Sequence, residues 1–133
     1  MVNKNMSVLV VDDLGSMRMQ IRDLLWQMGF QNILEARDGN QAIGLLERSR
    51  VDFIISDWSM PECDGMELLR HVRSSENYAK LPFLMLTALS ERENVIEAVQ
   101  AKVSNYLVKP FTPESLEMKM RAILGCKEPL WEK

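Results

Sequence analysis

Four short apolar runs end in polar residues that could do chemistry together. VLVV (8–11) leads into Asp12 and Asp13, FIIS (53–56) into Asp57, FLML (83–86) into Thr87, and YLV (106–108) into Lys109. Singly, each has an ordinary use: an Asp after a strand makes a turn or cap, a Thr caps a helix, and a Lys is solvated. As a set they suit one reaction class. Three carboxylates in one crevice repel each other and raise each other's pKa unless a cation joins them. Mg²⁺ typically takes one or two carboxylates, keeps several waters and leaves a position for a phosphate oxygen. The Lys109 amine and the Thr87 hydroxyl could then hold the other oxygens of a phosphoryl group. An ionised aspartate is a competent nucleophile towards phosphorus. The pattern alone therefore offers a phosphoryl site beside the alternative of unrelated caps and turns.

Such a site needs elements that bring these ends together. The four runs and a fifth, ILEA (33–36), which leads into a loop and cap at Arg37 and Asp38, are mostly continuous rather than alternating. Continuous apolar strands are buried on both faces, which predicts a parallel sheet covered by helices. Helical stripes lie between them: Leu14, Met17, Ile21, Leu24, Leu25 and Met28; Ala42, Leu45 and Leu46; Met66, Leu69 and Val72; Val95, Ala98 and Val99; Leu116, Met120, Ile123 and Leu124. All are expected in the core. Gly29 follows the first helix, Asp38-Gly39 and Asp64-Gly65 open the second and third, and Thr112-Pro113 opens the fifth. Gly15 weakens the start of the first helix. Five strand–helix pairs make an open α/β sheet with helices on both faces, and its functional groups gather beyond the carboxyl ends of the strands.

The chain has 133 residues, which suits a single domain, 1–133, with a core at 6–125 and a tail at 126–133 expected to be frayed or lightly packed. Hydrophobic residues at 47% and charged residues at 26% are those of a soluble globular protein. The net charge of −3 is mixed along the chain without a basic block, so no nucleic-acid partner is expected. No apolar run reaches the roughly 18 residues of a membrane span. The opening MVNKNMSVLVV does not read as a secretory signal, so the expected location is cytoplasmic, with no membrane insertion. Cys63 and Cys126 fit no metal or redox motif and are expected as reduced thiols. His71 is expected to face solvent.

The strings LVVDD, ISDWSMPECDG, LTA and NYLVKPF, in order and at matching spacing over about residues 5–125, resemble the CheY-like receiver domains of response regulators. The resemblance implies a flavodoxin-like (βα)5 fold with strand order 2-1-3-4-5. It implies a monomer in which Asp57 accepts a phosphoryl group from a histidine kinase, becoming 4-aspartylphosphate. Mg²⁺ would be held by Asp12, Asp13, Asp57 and the carbonyl of Ser59, with Asp12 acting mostly through a bound water. Lys109 would pair with the phosphoryl oxygens. Thr87 would move to reach them, and Tyr106 would turn inward in response. The Lys109–Pro110 bond would be cis.

With no room for an output domain, the output is expected to be a contact made around Arg92, Tyr106 and Lys119. The partner would be the flagellar motor switch in chemotaxis; the alternative is a phosphate shuttle or regulator in another phosphorelay. The only chemistry catalysed would be the chain's own phosphotransfer and autodephosphorylation. Three departures from the family stand out: Lys102, the Ser59 and Leu89 pair, and Gly15-Ser16 at the start of the first helix. Lys102 stands where receivers commonly carry Gly, so a left-handed backbone is expected there at roughly 1–2 kcal/mol. Leu89 is apolar beside the expected phosphoryl position, where many relatives are polar, and Ser59 flanks the other side. Two other classes fit poorly. A haloacid-dehalogenase phosphatase needs a DxDx[TV] run after the first strand, where this chain has Asp12-Asp13. An FMN carrier needs a hydroxyl- and glycine-rich phosphate loop, where DDLGSM offers two acids.

Overall fold

A computed structural model of the chain describes residues 3–88 and 95–131. Leu89 and Arg92 lie outside the described residues. Five strands alternate with five helices: β1 (Ser7–Val11), α1 (Gly15–Gln27), β2 (Asn32–Ala36), α2 (Gly39–Arg48), β3 (Phe53–Asp57), α3 (Gly65–Ser74), β4 (Phe83–Ala88), α4 (Val95–Gln100), β5 (Asn105–Lys109) and α5 (Pro113–Leu124). All neighbours pair in parallel, in the order β2-β1-β3-β4-β5. The expected sheet and order are therefore present.

The central strands β1, β3 and β4 are buried on both faces because each feeds two cores, while the edge strands β2 and β5 are only partly buried. Leu9, Val11, Ile54, Phe83 and Met85 pack with Ala42, Leu46, Met66, Leu69, Val72 and Ala98 of α2, α3 and α4. Val8, Val10, Phe53, Ile55, Leu84, Leu86 and Leu107 pack with Ile21, Leu24, Leu25, Leu116 and Met120 of α1 and α5. The caps follow the sequence signals. Asp38 accepts from Gln41 N–H and Asp64 from Glu67 N–H. Thr112 and Ser115 form a reciprocal capping box ahead of α5. The Lys109–Pro110 bond is cis, and Lys102 has φ 66°.

Three expectations fail for local reasons. Leu14 and Val99 are 56% and 58% exposed rather than core. Leu14 is the extended N-cap of α1, off the helical phase of its stripe, and α4 spans only Val95–Gln100, burying Ala98 but not Val99. His71 is partly covered, its Nε2 3.1 Å from the Tyr78 hydroxyl. The described part of the tail, 126–131, is docked rather than frayed. Leu130 is 2% exposed within the α1–α5 core, and its N–H donates to Glu117 Oε2 at 2.8 Å. The Lys4 ammonium donates to the Leu130 carbonyl at 2.7 Å and also to the Met28 carbonyl.

Candidate functional site: an acidic crevice at the strand ends

Asp57 is the last residue of β3 and Lys109 the last of β5, while Thr87 is next to last in β4 between them. Each strand thus runs one residue or more past its apolar stretch, and the register explains the convergence. Asp57 pairs with Leu86, Thr87 with Val108, and Ala88 with Lys109. Asp12 and Asp13 leave β1 on the other side of β3. The carboxylate oxygens of Asp12, Asp13 and Asp57 come within 4.8 Å of one another, and Asp12 and Asp57 are buried while Asp13 is open to solvent.

Asp57 is held rigidly. Its Oδ1 lies 2.8 Å from Lys109 Nζ and accepts the Trp58 N–H at 2.9 Å. The same N–H also reaches the Leu86 carbonyl at 3.0 Å, tying the end of β3 to β4. The N-terminus of α3 presses on this corner. A Cβ on Gly65 would lie 2.4 Å from the Asp57 carbonyl, so only glycine lets α3 approach so closely. A Cβ on Gly39 would lie 2.4 Å from Cys63 Sγ, which gives Cys63 a packing role at the start of α2. Cys63 and Cys126 are both free, as expected. Burial, and the nearby Glu67, Asp64 and Asp38 charges, push the Cys63 thiol up.

Two buried polar atoms in the crevice have no hydrogen-bond partner among the described residues: Asp12 Oδ2 and Thr87 Oγ1. Buried oxygens of this kind cost free energy unless a ligand or water satisfies them. Asp12 Oδ1 does have a partner, the Leu14 N–H at 2.9 Å. Burial first, then repulsion from Asp57 and Asp13, raises the Asp12 carboxyl above its ordinary range, against the Leu14 bond and the Lys109 charge. The donor set is hard oxygen, negatively charged and open on the Asp13 side. It fits a small divalent cation that retains water. Ser59 is exposed on the loop after β3, two residues past Asp57.

Tyr106 and Lys119 meet at the β5 edge. Tyr106 is partly buried against the α2–α4 core, and Lys119 Nζ lies 5.1 Å over its ring and 3.2 Å from Asn105 Oδ1. The third member of the expected output face, Arg92, is outside the described residues. Sequence reasoning had passed over Gly65 and Arg18. Asp64-Gly65 read only as a helix start, although a glycine facing an acceptor strand is a signal for close approach. Arg18 carries no sequence signal that sets it apart from other helix charges, yet its Nη1 donates to the Asp12 carbonyl at 2.6 Å.

The comparisons agree with this geometry. Residues 8–121 match the response regulator receiver domain. The chain is 45% identical over 122 residues to chemotaxis protein CheY-3 of Vibrio cholerae, covering 92% of this chain and 94% of that protein. It superposes on the chemotaxis response regulator CheY4 of Vibrio cholerae with a TM-score of 0.81 at 34% identity, covering 90% of this chain and 98% of that one. A receiver domain of a sensor histidine kinase from Pseudomonas aeruginosa, solved with a magnesium ion coordinated in its active site cleft, gives a TM-score of 0.81 at 30% identity, covering 91% and 98%. With the fold, the strand-end acids and these matches together, the chain belongs to the response regulator receiver domain family and is a receiver of the CheY type.

Proposed function

We propose that Asp57 is the phosphoryl acceptor of a signalling switch that works in chemotaxis and flagellar motor control. The observation that carries the acceptor assignment is its setting: a buried carboxylate 2.8 Å from Lys109 Nζ, grouped with Asp12 and Asp13, beside the unpartnered Thr87 hydroxyl. An Asp57 oxygen forms a bond to phosphorus while the P–N bond of a kinase phosphohistidine breaks, and the imidazole nitrogen leaves with the electron pair. Lys109 neutralises charge on the transferring oxygens, and Thr87 Oγ1 donates to one of them. Asp12, Asp13, Asp57 and the Ser59 carbonyl would hold Mg²⁺, which when bound would supply further charge neutralisation. The chain catalyses only its own phosphorylation and dephosphorylation and turns over no outside substrate.

Its phosphodonor is a histidine kinase and its output is a changed affinity for a partner. The 45% identity to CheY-3 supports the flagellar motor switch as that partner, contacted through Tyr106, Lys119 and Arg92. The test is incubation with a small acyl phosphate and Mg²⁺, followed by intact mass. Wild type gains one phosphoryl group; Asp57→Asn and the Mg²⁺-free reaction gain none. Full labelling of Asp57→Asn sinks the assignment. Binding of the phosphorylated chain to motor-switch peptides tests the partner, and phosphate transfer onward to a histidine phosphotransfer protein instead would favour a phosphorelay shuttle.

A further inference from the structure

Arg18 is the fourth residue of α1, its backbone N–H bonded to Leu14 O at 3.0 Å. Its side chain does not extend into solvent. Nη1 turns back to the Asp12 carbonyl at 2.6 Å, and Nε lies 3.4 Å from Glu35 Oε1 on β2, an ion-pair approach only, since Nε has no hydrogen-bond partner among the described residues. The other Glu35 oxygen pairs with Arg22 Nη1 at 3.4 Å.

The carbonyl that Arg18 holds belongs to the peptide joining Asp12 to Asp13. That unit is planar, so its orientation sets the relation between the two carboxylate-bearing Cα atoms. The preceding side of Asp12 is already fixed, because its N–H donates to Ala36 O at 3.0 Å and its Oδ1 accepts from Leu14 N–H. Asp13 is exposed, so packing does not hold its side chain in place. A guanidinium is a rigid fork that can grip a carbonyl and a carboxylate at once, which a flexible ammonium does poorly.

We propose that Arg18 is a positioning residue for cation binding: its hydrogen bond to the Asp12 carbonyl holds the Asp12–Asp13 peptide, with the guanidinium kept in place by the Glu35 charge, and so fixes the angle at which both carboxylates face Asp57. This rests on the reading that the acidic trio holds Mg²⁺. Arg18 touches neither the cation's ligand oxygens nor the phosphoryl group. Its effect is therefore on affinity for the ion, exerted through the backbone.

The test is Mg²⁺ titration of the full chain, followed by Trp58 fluorescence and by calorimetry, with urea unfolding in parallel. Arg18→Gln weakens Mg²⁺ binding about tenfold, as loss of an outer-sphere partner does, while the urea midpoint without cation moves little. Arg18→Lys falls between, and it carries the comparison if Arg18→Gln folds poorly. Arg22→Gln is the control. It breaks the other Glu35 pair without touching Asp12, and such exposed pairs contribute little, so Mg²⁺ affinity stays within about twofold. Equal affinity in wild type and Arg18→Gln overturns this proposal alone. Equal weakening in Arg22→Gln also overturns it, because the effect would then be general to α1. A wild type that binds no Mg²⁺ overturns both this proposal and the reading of the acidic trio.

Discussion

Asp12 is asked to do two opposed things. In the proposed cation site it must remain ionised, yet it is buried beside two other acids, and its Oδ2 has no hydrogen-bond partner among the described residues. A carboxyl whose folded pKa is raised binds its proton more tightly folded than unfolded. Such a group favours the folded state fully below the ordinary Asp pKa of about 3.9, and the advantage is lost as pH rises through the raised folded value. At neutral pH, without cation, Asp12 therefore destabilises the fold. Asp12→Asn is expected to raise the urea midpoint at pH 7 in chelator, with the gain vanishing near pH 3. Added Mg²⁺ should raise the wild-type midpoint by mass action and leave the variant almost unmoved. A variant no more stable than wild type at pH 7 would mean that burial and the neighbouring acids do not penalise the Asp12 charge. The acids, Thr87 and Lys109 were legible in the sequence because each directly follows an apolar strand run, and a parallel sheet gathers such positions at one end. Arg18 and Glu117 were not. Both are helix charges whose partners, the Asp12 carbonyl and the Leu130 N–H, depend on chain paths that no local pattern encodes.

Lys102 sits in the turn between α4 and β5 with φ 66°, where a Cβ is crowded. Arg73 of α3 holds that turn, its Nε donating to the Lys102 carbonyl at 2.9 Å and its Nη1 to the Leu81 carbonyl at 2.6 Å. Burial lowers the Arg73 pKa from its usual value, as expected for a guanidinium spent on main-chain carbonyls. Lys102→Gly should relieve about 1–2 kcal/mol of left-handed strain. The extra freedom of glycine in the unfolded chain offsets part of this, leaving a net stabilisation of about 0.5–1 kcal/mol by urea unfolding. A destabilised variant would show that the lysine stem contributes more than its backbone costs. Here the family comparison foretold the backbone angle, but nothing in QAKVSNY foretold the Arg73 clasp. The tail shows the reverse failure. GCKEPLWEK reads as polar and unperiodic, yet α5 ends at a left-handed Gly125, which turns the chain back so that Leu130 enters the α1–α5 core. Leu130→Ala should cost about 2–4 kcal/mol, as a buried leucine does. A loss under about 0.5 kcal/mol, the usual size of a surface change, would mean that the tail is undocked in solution.

Across the whole molecule, the proposed switch requires that an event at Asp57 be felt at the β5 edge, and the sheet offers a short route. Thr87 pairs with Val108 in register, and Tyr106 lies on β5 two residues before Val108 and three before Lys109. The Thr87 hydroxyl is buried without a partner among the described residues, so a phosphoryl oxygen on Asp57 gives it a strong acceptor to move towards. That movement would leave room for the Tyr106 ring, which is only partly buried and has Lys119 over its face. A ring drawn inward would lose the Lys119 contact and reshape the surface between α4 and α5. The competing account is that Tyr106 is a core aromatic with a wet hydroxyl and no part in signalling. The two accounts separate on a single substitution. In the first, Tyr106→Ala leaves acyl-phosphate labelling of Asp57 nearly unchanged but removes most of the affinity that phosphorylation adds for the partner, a coupling that in switches of this kind amounts to about 1–3 kcal/mol. In the second, Tyr106→Ala lowers thermal stability through lost packing, and the phosphorylated and unphosphorylated forms still differ in partner affinity by the wild-type ratio. Measuring partner affinity with and without phosphorylation, in both chains, reads that ratio directly. A wild-type ratio in Tyr106→Ala, or a block of labelling, would remove Tyr106 from the route between Asp57 and the output face.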